Sequence, residues 1–120
     1  MEPVLRQAKN LGTLVSSEEE LKKAGFENGK KVLAIISSTC FYCKTLMNSW
    51  EENEKQIKKY LSEKNIGLLF IEKWSFTGLA YEFGDGGYPN VHCYNDGKQV
   101  SGKFTELYAE NFINWLDENF

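Results

Sequence analysis

Residues 32–44 read VLAIISSTCFYCK, an apolar run that ends in two cysteines three positions apart. The first five residues are apolar and their neighbours are polar, which predicts a buried β-strand from Val32 to Ile36. The residues after Cys43 have helical periodicity, so the cysteines lie where a strand passes into a helix. In that position the free N–H groups of the first helical turn and the positive end of the helix dipole stabilise a thiolate.

The composition is that of an ordinary globular protein. The chain has 120 residues, of which 26% are charged and 14% aromatic. This length buries roughly two-thirds of the unfolded surface in one core, so we predict a single domain over residues 1–120. The net charge of -3 argues against nucleic acid or an anionic membrane as a partner.

The predicted cellular compartment and the number of cysteines both bear on the role of the cysteine pair. The first residues, MEPVLR, lack a basic segment followed by an apolar one, and no run of about eighteen apolar residues occurs anywhere. We therefore predict a cytoplasmic protein, while a mature chain cleaved from a signal peptide would look the same. The chain has three cysteines, an odd number, and a reducing compartment leaves a cysteine pair free to cycle. This favours catalysis over scaffolding.

The rest of the chain predicts strands that alternate with helices. In order, we predict a short strand at 11–15, a helix capped by Ser17, the strand at 32–36, a long helix from Phe41 to about Lys64, a strand at 66–71, a short helix within 75–83, a β-hairpin at 90–102 and a helix from about 106 to 119. Strands separated by helices imply right-handed parallel crossovers, and the hairpin adds antiparallel strands. The predicted class is α/β, with a mixed four- to five-stranded sheet and helices on both faces.

Taken together, these features resemble the thioredoxin family over residues 11–120. The resemblance rests on the strand before TCFYCK (39–44), the long helix after it, the loop FGDGGYP (83–89), the hairpin and the closing helix. It implies a thioredoxin fold and a protein-disulfide oxidoreductase that needs no cofactor. It also implies disulfide-containing protein substrates, an upstream reductase or glutathione as electron donor, and a monomer. Pro89 would be a cis-proline that faces the cysteines, and the backbone of Tyr88 would pair with an extended substrate segment.

Three features depart from the pattern of this family. The motif at 39–43, TCFYC, stands where thioredoxins usually have Trp-Cys-Gly-Pro-Cys, and its second half is more similar to the Cys-Pro-Tyr-Cys of glutaredoxins. Ala34 stands where thioredoxins have a buried Asp that can take a proton from the second cysteine. Asn48 replaces the usual proline within the helix. The dithiol motif survives these changes, and its proton acceptor is left unidentified.

The predicted chemistry divides the two cysteines. Cys40 at the helix N-cap is the exposed nucleophile that attacks a substrate disulfide, and Cys43 is the shielded thiol that resolves the mixed disulfide. Phe41 and Tyr42 lie between them and are predicted to line the surface that contacts the substrate. Cys93 is interpreted as a small buried hydrophobe.

Several alternatives remain open from the residues alone. The pair could form a structural disulfide, contribute half of a zinc site or be redox-inactive. Zinc is disfavoured because His92 and Cys93 are adjacent in a strand and point to opposite faces. Glutaredoxin-like exchange with glutathione is a second enzymatic hypothesis, and an accessory or peptide-binding module with little redox turnover is a third.

Overall fold

The computed structural model describes residues 2–74, 76 and 87–120. Within that part of the chain the helices are α1 (Pro3–Leu11), α2 (Glu18–Lys23), α3 (Phe41–Glu52), α4 (Glu54–Lys64) and α5 (Ala109–Asn119). The strands are β1 (Thr13–Val15), β2 (Lys30–Ile36), β3 (Ile66–Glu72), β4 (Asn90–Asn95) and β5 (Lys98–Gln99). The short helix predicted within 75–83 and most of the loop 83–89 lie outside the described residues.

The strands form one mixed sheet in the order β1-β3-β2-β4-β5. β3 pairs in parallel with both β1 and β2, whereas β4 pairs antiparallel with β2 and β5. β2 therefore lies in the interior of the sheet with a neighbour on each side, which explains its apolar run. The predicted mixed sheet with a closing hairpin and helix is confirmed.

Alternate residues of β2 and β3 pack into two separate apolar clusters. The first cluster contains Ala34 and Phe70, together with residues from α1, α3, α4 and α5. The second contains Leu33 and Leu69, with Leu21 of α2 packed on the same face. This alternation follows from the two-residue period of a strand, and it confirms helices on both faces of the sheet.

The single long helix predicted from Phe41 to Lys64 is wrong, because it is broken at Asn53. Asn53 has φ -117° and ψ 26°, and its side-chain amide donates to the Ser49 carbonyl oxygen at 2.8 Å. The apolar stripe stops at Trp50 and resumes only at Ile57. With no apolar side chain at the intervening turn, nothing ties a continuous helix to the core there.

Helix α1 was not among the predicted elements. The side chain of Glu2 accepts hydrogen bonds from the N–H groups of Val4 and Leu5, both at 3.1 Å, and Pro3 occupies the first helical turn. On the opposite side, the amide of Gln7 donates to Asn48 Oδ1 at 2.8 Å. The asparagine that replaces the family's proline in α3 thus anchors α1 to α3.

Candidate dithiol site

Cys40 is the N-cap residue of α3. Its backbone is extended, with φ -89° and ψ 124°, and its Sγ accepts a hydrogen bond from the N–H of Cys43 at 3.3 Å. An N-cap side chain normally supplies an oxygen for this purpose, and here a sulfur takes that place. The Cys40 thiol also donates to the carbonyl oxygen of Tyr88 at 3.4 Å. The sulfur is therefore held between the start of a helix and the loop before β4.

Cys43 lies one helical turn further on, on the same face of α3 as Cys40, and is buried in the core. It is 0% exposed, and its Sγ accepts a hydrogen bond from the N–H of Ser37 at 3.4 Å. Burial raises the pKa of Cys43 to about 12; the hydrogen bond from Ser37 lowers it, while the nearby Cys40 raises it further. At neutral pH this cysteine is a shielded thiol.

The peptide bond between Tyr88 and Pro89 is cis, as the resemblance implied. The carbonyl of Tyr88 receives the Cys40 thiol, so the proline loop and the dithiol are in direct contact. This arrangement leaves the backbone next to Pro89 beside the nucleophile. The substrate-pairing role of Tyr88 and Pro89 stays a prediction.

Three exposed aromatic residues lie at the edge of the sheet where β2 and β3 end, and we call Phe41, Tyr42 and Trp74 the aromatic rim. They are 74%, 59% and 60% exposed. The Phe41 and Tyr42 rings pack edge to face with centroids 5.7 Å apart. The ammonium group of Lys73 lies 4.7 Å from the Trp74 ring and 4.6 Å from the Tyr88 ring, which joins the rim to the proline loop by cation–π contacts.

Trp74 and Lys73 were missed from the sequence. They directly follow β3, and the strands β2 and β3 are parallel, so the residues after both strands emerge at the same edge of the sheet. That edge is where the cysteines follow β2. The signal was their position at the carboxyl end of a parallel strand, where α/β proteins place their sites.

A cleft of about 310 Å³ lies beside the proline loop that contacts Cys40. Its lining consists of Tyr42, Tyr88, Pro89 and the segment 103–107. Three residues predicted to contact substrate therefore line one concave surface, whereas Phe41 projects outward from the rim.

Beneath Cys40 is a buried group that we call the site floor, made of Ala34, Cys43, Phe70 and Glu72. Ala34 and Phe70 are 0% exposed and are cross-strand partners. The position of the family's buried Asp is thus filled by an apolar pair. Glu72, at the end of β3, is 6% exposed and was not singled out from the sequence.

His92 and Cys93 lie on opposite faces of β4, as their adjacency predicted. Cys93 packs in the same cluster as Cys43, while His92 is the partner of Leu33, which packs in the other. Burial raises the pKa of Cys93 to about 12, although a hydrogen bond with Ser101 lowers this pKa.

Among the described residues, no three His, Cys, Asp or Glu side chains are grouped to hold a metal ion. None of the helices described is long and apolar enough to span a bilayer.

Comparison with known proteins finds the same architecture in proteins of low sequence identity. The chain is 24% identical over 91 residues to the thioredoxin domain-containing protein 5 homolog of Drosophila melanogaster, a match that covers 76% of this chain and 21% of that protein. The chain therefore corresponds to only part of this relative's length. No family model matches the chain.

Solved structures agree closely in fold despite low identity. A mutant thioredoxin from Halobacterium salinarum is 19% identical, with a TM-score of 0.69 over 92% of this chain and 91% of its own. The first thioredoxin domain of mouse protein disulfide-isomerase A4 is 18% identical, with a TM-score of 0.72 over 91% of this chain and 75% of its own.

Fold and site together define a thioredoxin-fold protein that carries two cysteines at the start of the helix after a central strand. The fold is similar to that of the thioredoxin and of the protein disulfide-isomerase domain compared above, and this chain carries a Cys-Phe-Tyr-Cys motif at residues 40–43.

Proposed function

We propose that the protein is a thiol-disulfide oxidoreductase that reduces protein disulfides by cycling Cys40 and Cys43 between dithiol and disulfide. The observation that carries this proposal is the position of Cys40 Sγ. It lies 3.3 Å from the Cys43 nitrogen and 3.4 Å from the carbonyl oxygen of the residue before cis-Pro89. The Cys40 sulfur thus lies within hydrogen-bonding distance of Cys43, at the start of α3, and of the Tyr88 backbone, which borders the cleft.

The proposed cycle has two exchange steps. The Cys40 thiolate attacks one sulfur of a substrate disulfide, and the other substrate sulfur leaves as a thiolate that takes up a proton. Cys43 then loses its proton and attacks Cys40 Sγ, which releases the second substrate thiolate and forms the Cys40–Cys43 disulfide. The substrate gains two electrons and two protons, and an upstream reductase or glutathione restores the dithiol.

The substrate class follows from the surroundings of Cys40. The cleft beside Tyr88 and Pro89 is also lined by the segment 103–107, and the exposed Phe41 and Tyr42 rings lie next to Cys40 in sequence; backbone and apolar side chains of an extended peptide would find partners on such a surface. We propose a protein substrate whose backbone pairs with Tyr88 and whose apolar side chains contact Phe41 and Tyr42.

The direction of electron flow is proposed from the cysteine count, which favours a reducing compartment such as the cytosol. A protein disulfide-isomerase domain is among the similar structures, so the opposite direction, oxidation of substrate thiols, is the alternative. We propose that the protein acts as a monomer.

The direct test is the reduction of insulin by dithiothreitol, in which turbidity reports precipitation of the reduced chains. The wild type, Cys40→Ser and Cys43→Ser are compared at equal concentration. We expect the wild type to accelerate precipitation and Cys40→Ser to match the uncatalysed rate. Wild-type activity no higher than that of Cys40→Ser would contradict the proposed function.

A peptide-binding module with little redox turnover is a second candidate, favoured by the exposure of the aromatic rim. It requires a Cys40→Ser/Cys43→Ser double variant to bind a disulfide-free extended peptide as tightly as the wild type does. Calorimetry would detect this. Rapid wild-type turnover of insulin would argue against it.

A further inference from the structure

Glu72 is a buried carboxylate at the end of a strand that is otherwise apolar. Glu72 is 6% exposed, and its Oε2 accepts a hydrogen bond from the N–H of Trp74 at 2.9 Å. None of the ion pairs found in the described part of the chain involves Glu72. Burying a carboxylate without a counter-ion costs free energy, which core packing alone does not justify at this position.

The strand register places Glu72 on the same side of the sheet as Cys43. Leu68 and Phe70 of β3 pack in the cluster that contains Cys43, whereas Leu69 and Ile71 pack in the other cluster. Side chains of a strand alternate between faces, so Glu72 continues the row of Leu68 and Phe70.

The same register brings the carboxylate to the level of the Cys43 sulfur. Glu72 is the cross-strand partner of Ile36, and paired strands lie about 4.8 Å apart. The residue after Ile36 is Ser37, whose N–H donates to Cys43 Sγ at 3.4 Å. The Glu72 side chain and the Cys43 sulfur therefore lie near each other, at the carboxyl ends of two adjacent parallel strands.

The electrostatics of Cys43 agree with this placement. After burial and the contacts with Ser37 and Cys40, the negative charge of Glu72 also raises the pKa of Cys43. The titratable groups that act on Cys43 are thus Cys40 on its own helix and Glu72 on β3. The neighbouring cation, Lys73, places its ammonium group over the Trp74 and Tyr88 rings.

A buried thiol of this kind must lose a proton before it can resolve a mixed disulfide. Its thiolate fraction at pH 7 is on the order of 10⁻⁵ for a pKa near 12. Ala34 offers no acceptor, and its partner Phe70 offers none either. A base close to Cys43 would remove this barrier.

We propose that the Glu72 carboxylate accepts the Cys43 proton, directly or through a water molecule, when Cys43 attacks the mixed disulfide at Cys40. The proposal rests on the proposed function. In the step, the proton passes from Cys43 Sγ to the carboxylate, the Cys43 sulfur forms a bond to Cys40 Sγ, and the bond from Cys40 Sγ to the substrate sulfur breaks. The departing substrate thiolate takes a proton from the Glu72 carboxylic acid or from solvent.

The experiment follows the two exchange steps separately. Reduced protein is mixed with a stoichiometric amount of the chromogenic disulfide dithiobisnitrobenzoate, and the release of the coloured thiolate is recorded by stopped flow from pH 6 to pH 9. The first release reports attack by Cys40 and depends on reagent concentration. The second release reports resolution by Cys43 and is independent of reagent concentration.

For Glu72→Gln we expect an unchanged first phase and a second phase slowed at least tenfold at pH 7, with a rate that rises steeply with pH as hydroxide replaces the lost base. The direction in which the rate of the second phase changes distinguishes a base from a charge that acts only through its electric field. Removing the charge lowers the pKa of Cys43, so a residue that acted only through its field would give a faster second phase when replaced. A second phase as fast as, or faster than, that of the wild type would overturn the proposal.

Two further variants complete the design. Glu52→Gln alters an exposed glutamate on α3 and should leave both phases unchanged. Should Glu72→Gln fail to fold by circular dichroism, Glu72→Asp keeps the carboxylate but withdraws it by one methylene group. We expect a second phase at least threefold slower, and an unchanged one would overturn the proposal. A wild type with no second phase would remove the proposed function itself, whereas two normal phases in all variants would remove only the role of Glu72.

Discussion

The aromatic rim and the site floor place two identical residue types, three positions apart, in opposite environments. On the rim side, Cys40 is half-buried at a helix N-cap and contacts the proline loop. On the floor side, Cys43 is buried among Ala34, Phe70 and Glu72, with its pKa raised to about 12. The two residues lie on one face of α3, and their environments differ because Cys40 caps the helix at the partly exposed end, whereas Cys43 lies one turn deeper, against the core. The rim is suited to selecting substrates, and the floor is suited to controlling resolution.

The largest expected effect comes from removing each cysteine in turn. Cys43→Ser retains the nucleophile but lacks the resolving thiol, so a covalent complex with a disulfide substrate should accumulate and turnover should fall at least 100-fold. Non-reducing electrophoresis and mass spectrometry would show the complex. Capture of the substrate to the same extent by Cys40→Ser would contradict the assignment.

Alkylation should distinguish the two environments without mutation. At pH 7 iodoacetamide should modify Cys40 at least 100-fold faster than Cys43 or Cys93, because burial raises the pKa of both buried thiols to about 12 and blocks access to them. Peptide mapping after timed quenching measures the three rates. In urea, where burial is lost, the rates should converge; equal rates in the native protein would show that the floor is not shielded.

A second acid on the floor should be costly. Ala34→Asp places a carboxylate against Phe70 on a residue that is 0% exposed, and we expect a loss of about 2–4 kcal/mol in the free energy of unfolding at pH 7. Desolvation should raise the pKa of the new acid in the folded state above its unfolded value near 4, so the loss should be smaller at pH 4 than at pH 7. Urea unfolding at both pH values measures it. A neutral effect at pH 7 would show that the floor already admits solvent.

The smallest effects are expected on the rim. Phe41→Ala and Tyr42→Ala should change the free energy of unfolding by no more than about 0.5 kcal/mol, since both side chains are largely exposed. Insulin reduction should fall roughly three- to tenfold in kcat/KM through weaker substrate contact. Val100→Ala, at another exposed apolar side chain, serves as the matched control. Equal losses in the control would show that the rim has no special part in binding.

The sequence predicted the parts of the molecule that depend on local pattern. The buried strand β2, the cysteines at the start of α3 and the hairpin formed by β4 and β5 follow from periodicity and turn chemistry. The cis bond before Pro89 came only through the resemblance to a family, because no local pattern fixes the isomer of an X–Pro bond.

The features that were missed depend on packing between distant segments. The break at Asn53 reflects where the core stops supporting a helix, and the clue was the gap in the apolar stripe. Glu72 was overlooked because strand β3 was predicted to end at Ile71. Its spacing of two residues from Phe70 and four from Leu68 was visible, but only the pairing of Glu72 with Ile36 places its side chain near the Cys43 sulfur.

The most direct measurement of the central claim is a titration of the protein against glutathione redox buffers, with the products assigned by mass spectrometry. Dithiol exchange predicts one two-electron transition that joins Cys40 to Cys43, at a potential between about -270 and about -120 mV. Cys93 should stay reduced throughout. A protein that forms no Cys40–Cys43 disulfide at any poise, or only a glutathione adduct that Cys43 never resolves, would contradict the account.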